Sequence, residues 1–235
     1  MAARRFYKEV AVRPAAAGFA VTLDGKAIKT PARHDLVVPS RALAERLAAE
    51  WDAQDGDIRP ETMPLNRFAN TALDRVGEAR GTIAEGVAAY ARSDLLCHLA
   101  PNPESLSEQQ RAAWQPWLDW AEKRYGAGLI MSMGLMPVDQ PQEALEALAA
   151  AVRAADDWRL TALSECVALT GSLILGLALM EEALSATEAW SLSQMDEDYQ
   201  AEHWGLDAEA EAARNARRQA LLDAVDFLSL CPRGD

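Results

Sequence analysis

The sequence predicts an α+β fold, with a small β-rich domain over residues 1–40 and a larger helical domain over residues 41–235. Two observations support this prediction. Apolar residues alternate along the first part of the chain, as they do in strands, and recur with a helical period beyond it. The predicted strands also all precede the predicted helices, which is typical of α+β folds, whereas strands and helices alternate along α/β chains.

A β-hairpin is predicted near the start of the chain. Alternating residues cover 7–12 and 19–23, and Asp24-Gly25 then separates the second run from another strand-like run, KAIKT. This dipeptide favours a type I′ turn, because both central residues of such a turn need positive φ angles. A further short strand is predicted over residues 36–38, where a proline ends it.

Helical periodicity begins directly after these strands. Ser40 is predicted to cap a helix whose apolar stripe ends at Trp51, so Trp51 is expected in the core. An irregular, proline-containing segment follows. Two further helices are then predicted, one over residues 65–76 and one that includes residues 87–91.

The later helices are marked by the residues at their starts. Two Ser-x-x-Glu sequences fit capping boxes, and aspartates precede two other helices. The predicted starting residues are Ser105 with Glu108, Pro141, Asp156 or Asp157, Ser185 with Glu188, and Asp207. The helix after Ser105 contains Trp114 and is predicted to stop at Gly126. The helix after Asp156 is predicted to run unbroken through Met180.

Charge and cysteine content exclude several functional classes. The net charge of −13 would repel nucleic acid, so that partner is not expected. The three cysteines are far apart and form no CxxC pair, which indicates buried free thiols in a reducing compartment. The most apolar stretch, residues 167–180, is shorter than the roughly 20 residues that a membrane span needs. It is therefore predicted to be a buried core helix.

Familiar catalytic and cofactor-binding motifs are absent from the sequence. There is no P-loop, no GxGxxG after a strand and no GxSxG sequence. The three histidines, His34, His98 and His203, do not have the paired spacing of metal ligands. No cofactor and no metal is therefore expected.

The helix predicted after Ser185 carries one arrangement that suggests chemistry. Its expected core face consists of Ala189, Leu192, Met195, Tyr199 and His203. Asp196 lies within this arc and needs a polar partner if it is buried. We favour a hydrogen-bonded structural role for Asp196. The alternative is a small soluble enzyme that uses Asp196 and His203 as an acid–base pair.

A second face of the same helix has the composition of an interface. Trp190 and Trp204 lie opposite the core stripe, with Glu197 beside them and Glu202 at the margin. Either another helix covers these tryptophans or a partner protein does, and both alternatives stay open. Acidic residues are unfavourable near a helix C-terminus, so a cationic group should compensate them. That group belongs either to a partner or to the arginines of the next helix.

Seven segments of the chain form a familiar ordered set. They are RRFYKEV, LDGKAIKTPA, AAEWDAQDGDIRPETMPLNRFANTALDRV, YARSDLLCHLAP, QQRAAWQPWLDWAEKRYG, LTGSLILGLAL and WSLSQMDEDYQAEHWGLDAEA. Taken together, this set resembles the ATP-twelve family of ATP synthase assembly chaperones. The resemblance covers nearly the whole chain, and the ordered set is far more specific than any single segment.

The resemblance implies a chaperone without catalytic activity, nucleotide or metal. Such a chaperone binds the free alpha subunit of the catalytic head and shields the surface that later contacts the beta subunit. The resemblance places a bacterial member in the cytoplasm and eukaryotic relatives in mitochondria. We expect a monomer that does not insert into membranes. A subunit retained in the finished complex is a third alternative.

The resemblance also implies which positions this chain shares with the family. The positions shared with the family are Trp51, Asp52, Gln54, Met63, Pro64, Asp94, Leu95, Leu96, Trp114, Trp120, Glu197, Gln200, Trp204 and Gly205. Contact with the partner is expected from Asp94, Leu95, Glu197, Glu202 and Trp204. Structural roles are expected for Trp51, Trp114, Asp196, Tyr199 and Gly205.

Overall fold

The structure, a computed structural model, describes residues 4–134 and 138–233 and confirms the α+β fold. The described chain forms two compact units. The first contains residues 4–80, 156–162 and 226–233, and the second contains residues 81–134, 138–155 and 163–225. The domain boundary proposed after residue 40 stays a prediction, because these units follow spatial contacts and are not defined by independent folding.

The first unit begins with an antiparallel sheet in which the second strand pairs with all the others. Its strands are β1 (Val10–Ala15), β2 (Gly18–Leu23), β3 (Lys26–Ala27) and β4 (Val37–Val38). The predicted turn is confirmed, since Asp24 and Gly25 have φ angles of 47° and 78°. The Asp24 carboxylate also accepts hydrogen bonds from the backbone amides of Lys8 and Glu9, at 3.0 and 2.9 Å. This aspartate therefore fastens the turn to the segment that leads into β1.

Helix α1 (Arg41–Asp52) follows the sheet. The predicted cap is confirmed, because the Ser40 hydroxyl accepts a hydrogen bond from the Leu43 amide at 3.0 Å. The same hydroxyl donates to the carbonyl of Leu230 at 2.6 Å. Leu43 and Leu47 are completely buried, as the stripe predicts.

Trp51 is only half-buried, which corrects the expectation that it lies in the core. One part of the ring packs against a small cluster that includes Tyr7, Ile58 and Met63. The indole N–H donates to the Asn66 side-chain oxygen at 2.8 Å. Trp51 thus has a structural contact and also an accessible face.

Three helical segments continue the chain after α1. Helix α2 (Pro64–Thr71) leads directly into a π-helix (Ala72–Val76), and helix α3 (Gly77–Ala89) follows. The Glu50 carboxylate accepts hydrogen bonds from the backbone amides of Leu65 and Asn66, at 2.8 and 2.9 Å. It thereby caps the first turn of α2, where backbone donors have no partner within the helix.

The second unit is mainly helical. It contains the parallel strands β5 (His98–Leu99) and β6 (Ser132–Met133), and the helices α4 (Glu104–Tyr125), α5 (Gln142–Ala154), α7 (Leu173–Met180), α8 (Ala186–Ser193) and α9 (Met195–Trp204). Helices α3, α6 (Asp157–Thr170) and α10 (Ala208–Leu230) contribute residues to both units. The three cysteines are buried and unpaired, as predicted, and burial raises the pKa of the Cys166 thiol to about 12.

Most helix ends follow their predicted signals. The Ser185–Glu188 capping box is confirmed, as are the caps by Asp156 and Asp207, each of which accepts a backbone hydrogen bond at 2.8 Å. Gly126 ends α4 in the left-handed conformation. The capping box at Ser105 is wrong, because α4 already begins at Glu104. Pro141 directly precedes the first residue of α5.

The predicted unbroken helix through Met180 is also wrong. Gly171 has a φ of 70°, which ends α6, and the Ser172 hydroxyl then caps α7 by accepting from the Leu175 amide at 3.0 Å. All eight residues of α7 are buried, so the prediction of a buried apolar segment holds. Within residues 4–134 and 138–233, the structure has no helix with the length and hydropathy of a membrane span.

Candidate protein-binding surface

Two helices, and not one, follow Ser185. Gln194 is buried and interrupts the helical geometry between α8 and α9, with φ and ψ of −108° and 11°. The predicted continuous core face is therefore wrong beyond this point: Ala189 is buried, but α9 buries none of its residues. Tyr199 is half-buried and His203 is exposed.

Asp196 has a polar partner on α4. Its carboxylate accepts a hydrogen bond from the side-chain amide of Gln110 at 2.9 Å. Gln110 is completely buried, and its own oxygen accepts from the Ala100 amide at 2.7 Å. Because Gln110 is held on both sides, it orients the half-buried Asp196 carboxylate at the edge of α9.

The proposed acid–base pair of Asp196 and His203 does not form. His203 Nδ1 lies 2.8 Å from the carbonyl oxygen of Tyr199, and its ring stacks on the Tyr199 ring with centroids 4.0 Å apart. Across the described residues, the partner of Asp196 is Gln110 and no bond joins it to His203. The enzyme alternative has lost the geometry on which it depended, because proton transfer needs hydrogen-bonding reach.

An open groove of about 770 Å³ lies along one side of α9. Its apolar lining comes from Leu95, Leu99, Leu106 and Trp204, and Asp196 contributes a carboxylate. A concave apolar surface with a few oriented polar groups is the usual form of a binding site.

The two tryptophans of this region have different environments. Trp190 is buried, and the Arg217 guanidinium lies 5.8 Å from its ring centroid. Trp204 is 76% exposed at the end of α9, which Gly205 terminates with a φ of 78°. The alternative of cover by another helix therefore applies to Trp190, whereas Trp204 remains uncovered in the part of the chain that the structure describes.

Glu197 and Glu202 are exposed on α9, the helix that ends with Trp204. Neither carboxylate forms a hydrogen bond or an ion pair with another described residue. Arg214 of α10 pairs instead with Asp198, and Arg217 donates to the Leu169 carbonyl at 3.3 Å. The charges of Glu197 and Glu202 are thus available at the surface.

Asp94 is completely buried, so the prediction that it contacts a partner is wrong. Its carboxylate accepts hydrogen bonds from the amides of Leu96 and Ile174, each at 3.1 Å. The Ser172 hydroxyl and the Leu173 amide interact with it as well. Burial raises the pKa of Asp94, and these four donors oppose that rise. Asp94 is an internal anchor between the 3₁₀ turn at residues 95–97 and the start of α7.

Leu95 follows Asp94 and lines the groove while half-buried. Its amide donates to the Gly171 carbonyl at 3.1 Å, so its backbone is held at the break between α6 and α7. The expectation that Leu95 contacts a partner remains a prediction. The structural role expected for Trp114 fits its surroundings, because its buried ring donates to the Leu192 carbonyl at 3.0 Å.

Sequence reasoning missed Gln110 and Leu106. Both lie on the buried face of α4, where Leu106, Gln110, Trp114 and Leu118 follow one another at four-residue steps. A glutamine within such an apolar stripe was the available signal, because a buried amide needs polar partners. Its partner, Asp196, is 86 residues away in sequence.

Comparison with known proteins gives a consistent result. A family model described as ATP12 chaperone protein matches residues 4–122. The crystal structure of Atp12 from Paracoccus denitrificans is 40% identical, with a TM-score of 0.95, and covers 98% of this chain and 99% of that chain. A mutant of P. denitrificans Atp12p is also 40% identical, with a TM-score of 0.94 and 97% of each chain covered. Protein atp12, mitochondrial, from Schizosaccharomyces pombe is 24% identical over 240 residues, covering 97% of this chain and 82% of that relative.

Proposed function

The chain belongs to the ATP12 chaperone family, and from this premise we propose that it binds the free alpha subunit of the ATP synthase catalytic head. Its class is that of an ATP synthase assembly chaperone and not that of an enzyme. In the proposed role it shields the beta-facing surface of the alpha subunit until the catalytic hexamer forms. It acts without nucleotide or metal.

The observation that supports this proposal best is the exposed Trp204 beside the α9 groove. Tryptophan is enriched among the residues that dominate protein–protein binding, and it is costly to leave in water. The groove beside it offers apolar contact area, and Glu197 and Glu202 offer unpaired negative charge. We assign Glu197, Glu202, Trp204 and Leu95 to the proposed alpha-subunit contact.

Light scattering of isolated alpha subunit tests this function. When alpha subunit is diluted from denaturant without nucleotide, an equimolar amount of this chain should suppress the rise in scattering. The expected reason is that the chaperone covers apolar surface that otherwise aggregates. Equal scattering with and without the chain would contradict the proposal, and isolated beta subunit serves as the control client.

Replacing Glu202 by lysine should weaken capture of the alpha subunit while leaving the melting temperature nearly unchanged. The side chain is exposed and has no partner among the described residues, so its loss removes little from the folded chain. At a desolvated contact with a cationic group, the loss of binding free energy would be about 2–5 kcal/mol. Titration calorimetry at fixed salt measures this loss.

The matched control for this substitution is Glu85→Lys, which makes the same charge change at an exposed position of α3. It should bind the alpha subunit as the unmodified chain does. Unchanged affinity in Glu202→Lys would remove Glu202 from the interface.

We propose the bacterial cytoplasm as the location and a monomer as the working form. The bacterial relatives from Paracoccus denitrificans support the bacterial setting. Fractionation of the native cells, followed by size-exclusion chromatography of the soluble fraction, checks both statements. Recovery of the chain in purified ATP synthase would instead favour a retained subunit.

A further inference from the structure

The first unit contains a separate groove of about 580 Å³. Its floor is apolar and is formed by Trp51, Ile58 and Met63, with Pro31 and Pro60 at its sides. Ile58 and Met63 are buried, whereas Trp51 leaves one part of its ring accessible. The floor therefore offers an aromatic and thioether surface of a kind that holds large apolar side chains.

One wall of this groove is polar and comes from α2 and the π-helix that continues it. Arg67, Asn70 and Arg75 lie along this wall. The Asp74 carboxylate, next to Arg75 in sequence, already has hydrogen-bond donors. It accepts from the Thr30 hydroxyl at 2.5 Å and from the Ala32 amide at 3.0 Å. π-Helical turns occur frequently at functional sites, because they re-aim side chains relative to a regular helix.

The two arginines of this wall differ from several other arginines of this acidic chain, which form ion pairs. Arg46 pairs with Asp226, Arg80 with Asp157 and Arg214 with Asp198. Arg67 and Arg75 are exposed and form no ion pair with any residue in the described ranges. Arg67 instead lies over the Phe68 ring, 5.5 Å from its centroid.

The residues that line the groove restrict the class of ligand that it can bind. The first turn of α2 is already capped by the Glu50 carboxylate, so backbone donors there are not free to hold a small anion. Any attraction for carboxylates must come from the arginine side chains, beside an apolar floor. Glu61 also lines the groove, and its carboxylate would repel an acidic group placed next to it.

We propose that this groove binds a peptide segment of a partner protein in which large apolar side chains are flanked by carboxylates. The apolar side chains pack on Trp51 and Met63, and the carboxylates pair with Arg67 and Arg75. Arginine suits such recognition because its planar guanidinium binds carboxylates with two hydrogen bonds. This site consists of residues of the first unit, whereas the α9 groove belongs to the second, and the two proposals stand independently.

The binding test uses fluorescence polarisation of a labelled peptide, Gly-Asp-Leu-Leu-Asp-Gly, on the full chain. Two comparison peptides replace the aspartates by lysine or the leucines by serine. Only the first peptide should bind, and its affinity should fall as salt rises, because exposed ion pairs are screened. Absence of binding, or equal binding of the lysine peptide, would overturn the proposal.

Site-directed variants locate the binding. Arg75→Glu should lower the affinity for the peptide by about tenfold or more, because it replaces an attractive charge by a repulsive one. Arg13→Glu makes the same change on an exposed residue of β1 and should leave the affinity unchanged. Arg75→Glu should still suppress alpha-subunit aggregation, which separates this site from the proposed function.

Nuclear magnetic resonance provides a second readout. The indole N–H signal of Trp51, identified with Trp51→Phe, should shift on addition of the peptide, because the indole forms part of the groove floor. The indole signal of Trp204 should stay in place. A shift at Trp204 without one at Trp51 would overturn the assignment.

Discussion

Replacing Asp94 by alanine should lower the free energy of unfolding by about 3–5 kcal/mol, because several buried donors would lose their acceptor together. The carboxylate meets the amides of Leu96, Leu173 and Ile174 and the Ser172 hydroxyl, and it has no exposed surface. A methyl group cannot accept any of these hydrogen bonds, and the surrounding protein leaves little room for water to replace them.

Urea and thermal unfolding measure this effect. For a chain of this size, the expected fall in melting temperature is roughly 6–20 °C. The control is Asp55→Ala, which removes an exposed carboxylate and should change stability by no more than about 0.5 kcal/mol. If Asp94→Ala unfolds like the unmodified chain, the carboxylate is not the anchor described above.

Replacing Trp204 by alanine should weaken capture of the alpha subunit by about 30-fold or more, which corresponds to roughly 2 kcal/mol or more at a dominant contact. The ring is 76% exposed in the free chain, so a partner would bury most of its area. For the same reason its removal should leave the melting temperature nearly unchanged. This combination of lost binding and retained stability is what separates an interface residue from a core residue.

Two other aromatic residues provide the controls. Phe6→Ala removes a ring that is 73% exposed in the first unit, and it should bind the alpha subunit normally. Trp190→Ala removes a buried ring and should destabilise the chain by about 3–5 kcal/mol. Binding by Trp204→Ala that equals binding by Phe6→Ala would contradict the assignment of the α9 groove to the alpha subunit.

Most features with a short-range cause were predicted correctly, the capping box at Ser105 being an exception. The turn at Asp24-Gly25 depends on the φ angles that two neighbouring residues tolerate. The caps at Ser40, Ser185 and Asp207 depend on a side chain that reaches a backbone amide about one turn away. The residues that make such interactions lie within four or five consecutive positions, so the sequence alone reveals them.

The errors arose where local signals compete. Gly171 and Gln194 interrupt segments whose apolar periodicity continues across them, and periodicity does not show which signal prevails. At Gly171 the outcome depends on Ser172, which caps α7, and on Asp94, which binds its first amides from 80 residues away. Asp94 was expected to contact a partner because the resemblance to the chaperone family singled out its position, and the donors that allow its burial are distant in sequence.

The sequence by itself determined the α+β class, the hairpin, most helix starts and membership of the chaperone family, because these follow from local chemistry and from an ordered set of segments. Only the tertiary structure decided which tryptophan is covered and which is open. The helical periodicity of the sequence places Trp190 and Trp204 on the same face. In the structure, Arg217 lies over the Trp190 ring, whereas no described residue covers Trp204. Exposure depends on which distant residues pack nearby, so the α9 groove and its Gln110–Asp196 contact became visible only in three dimensions.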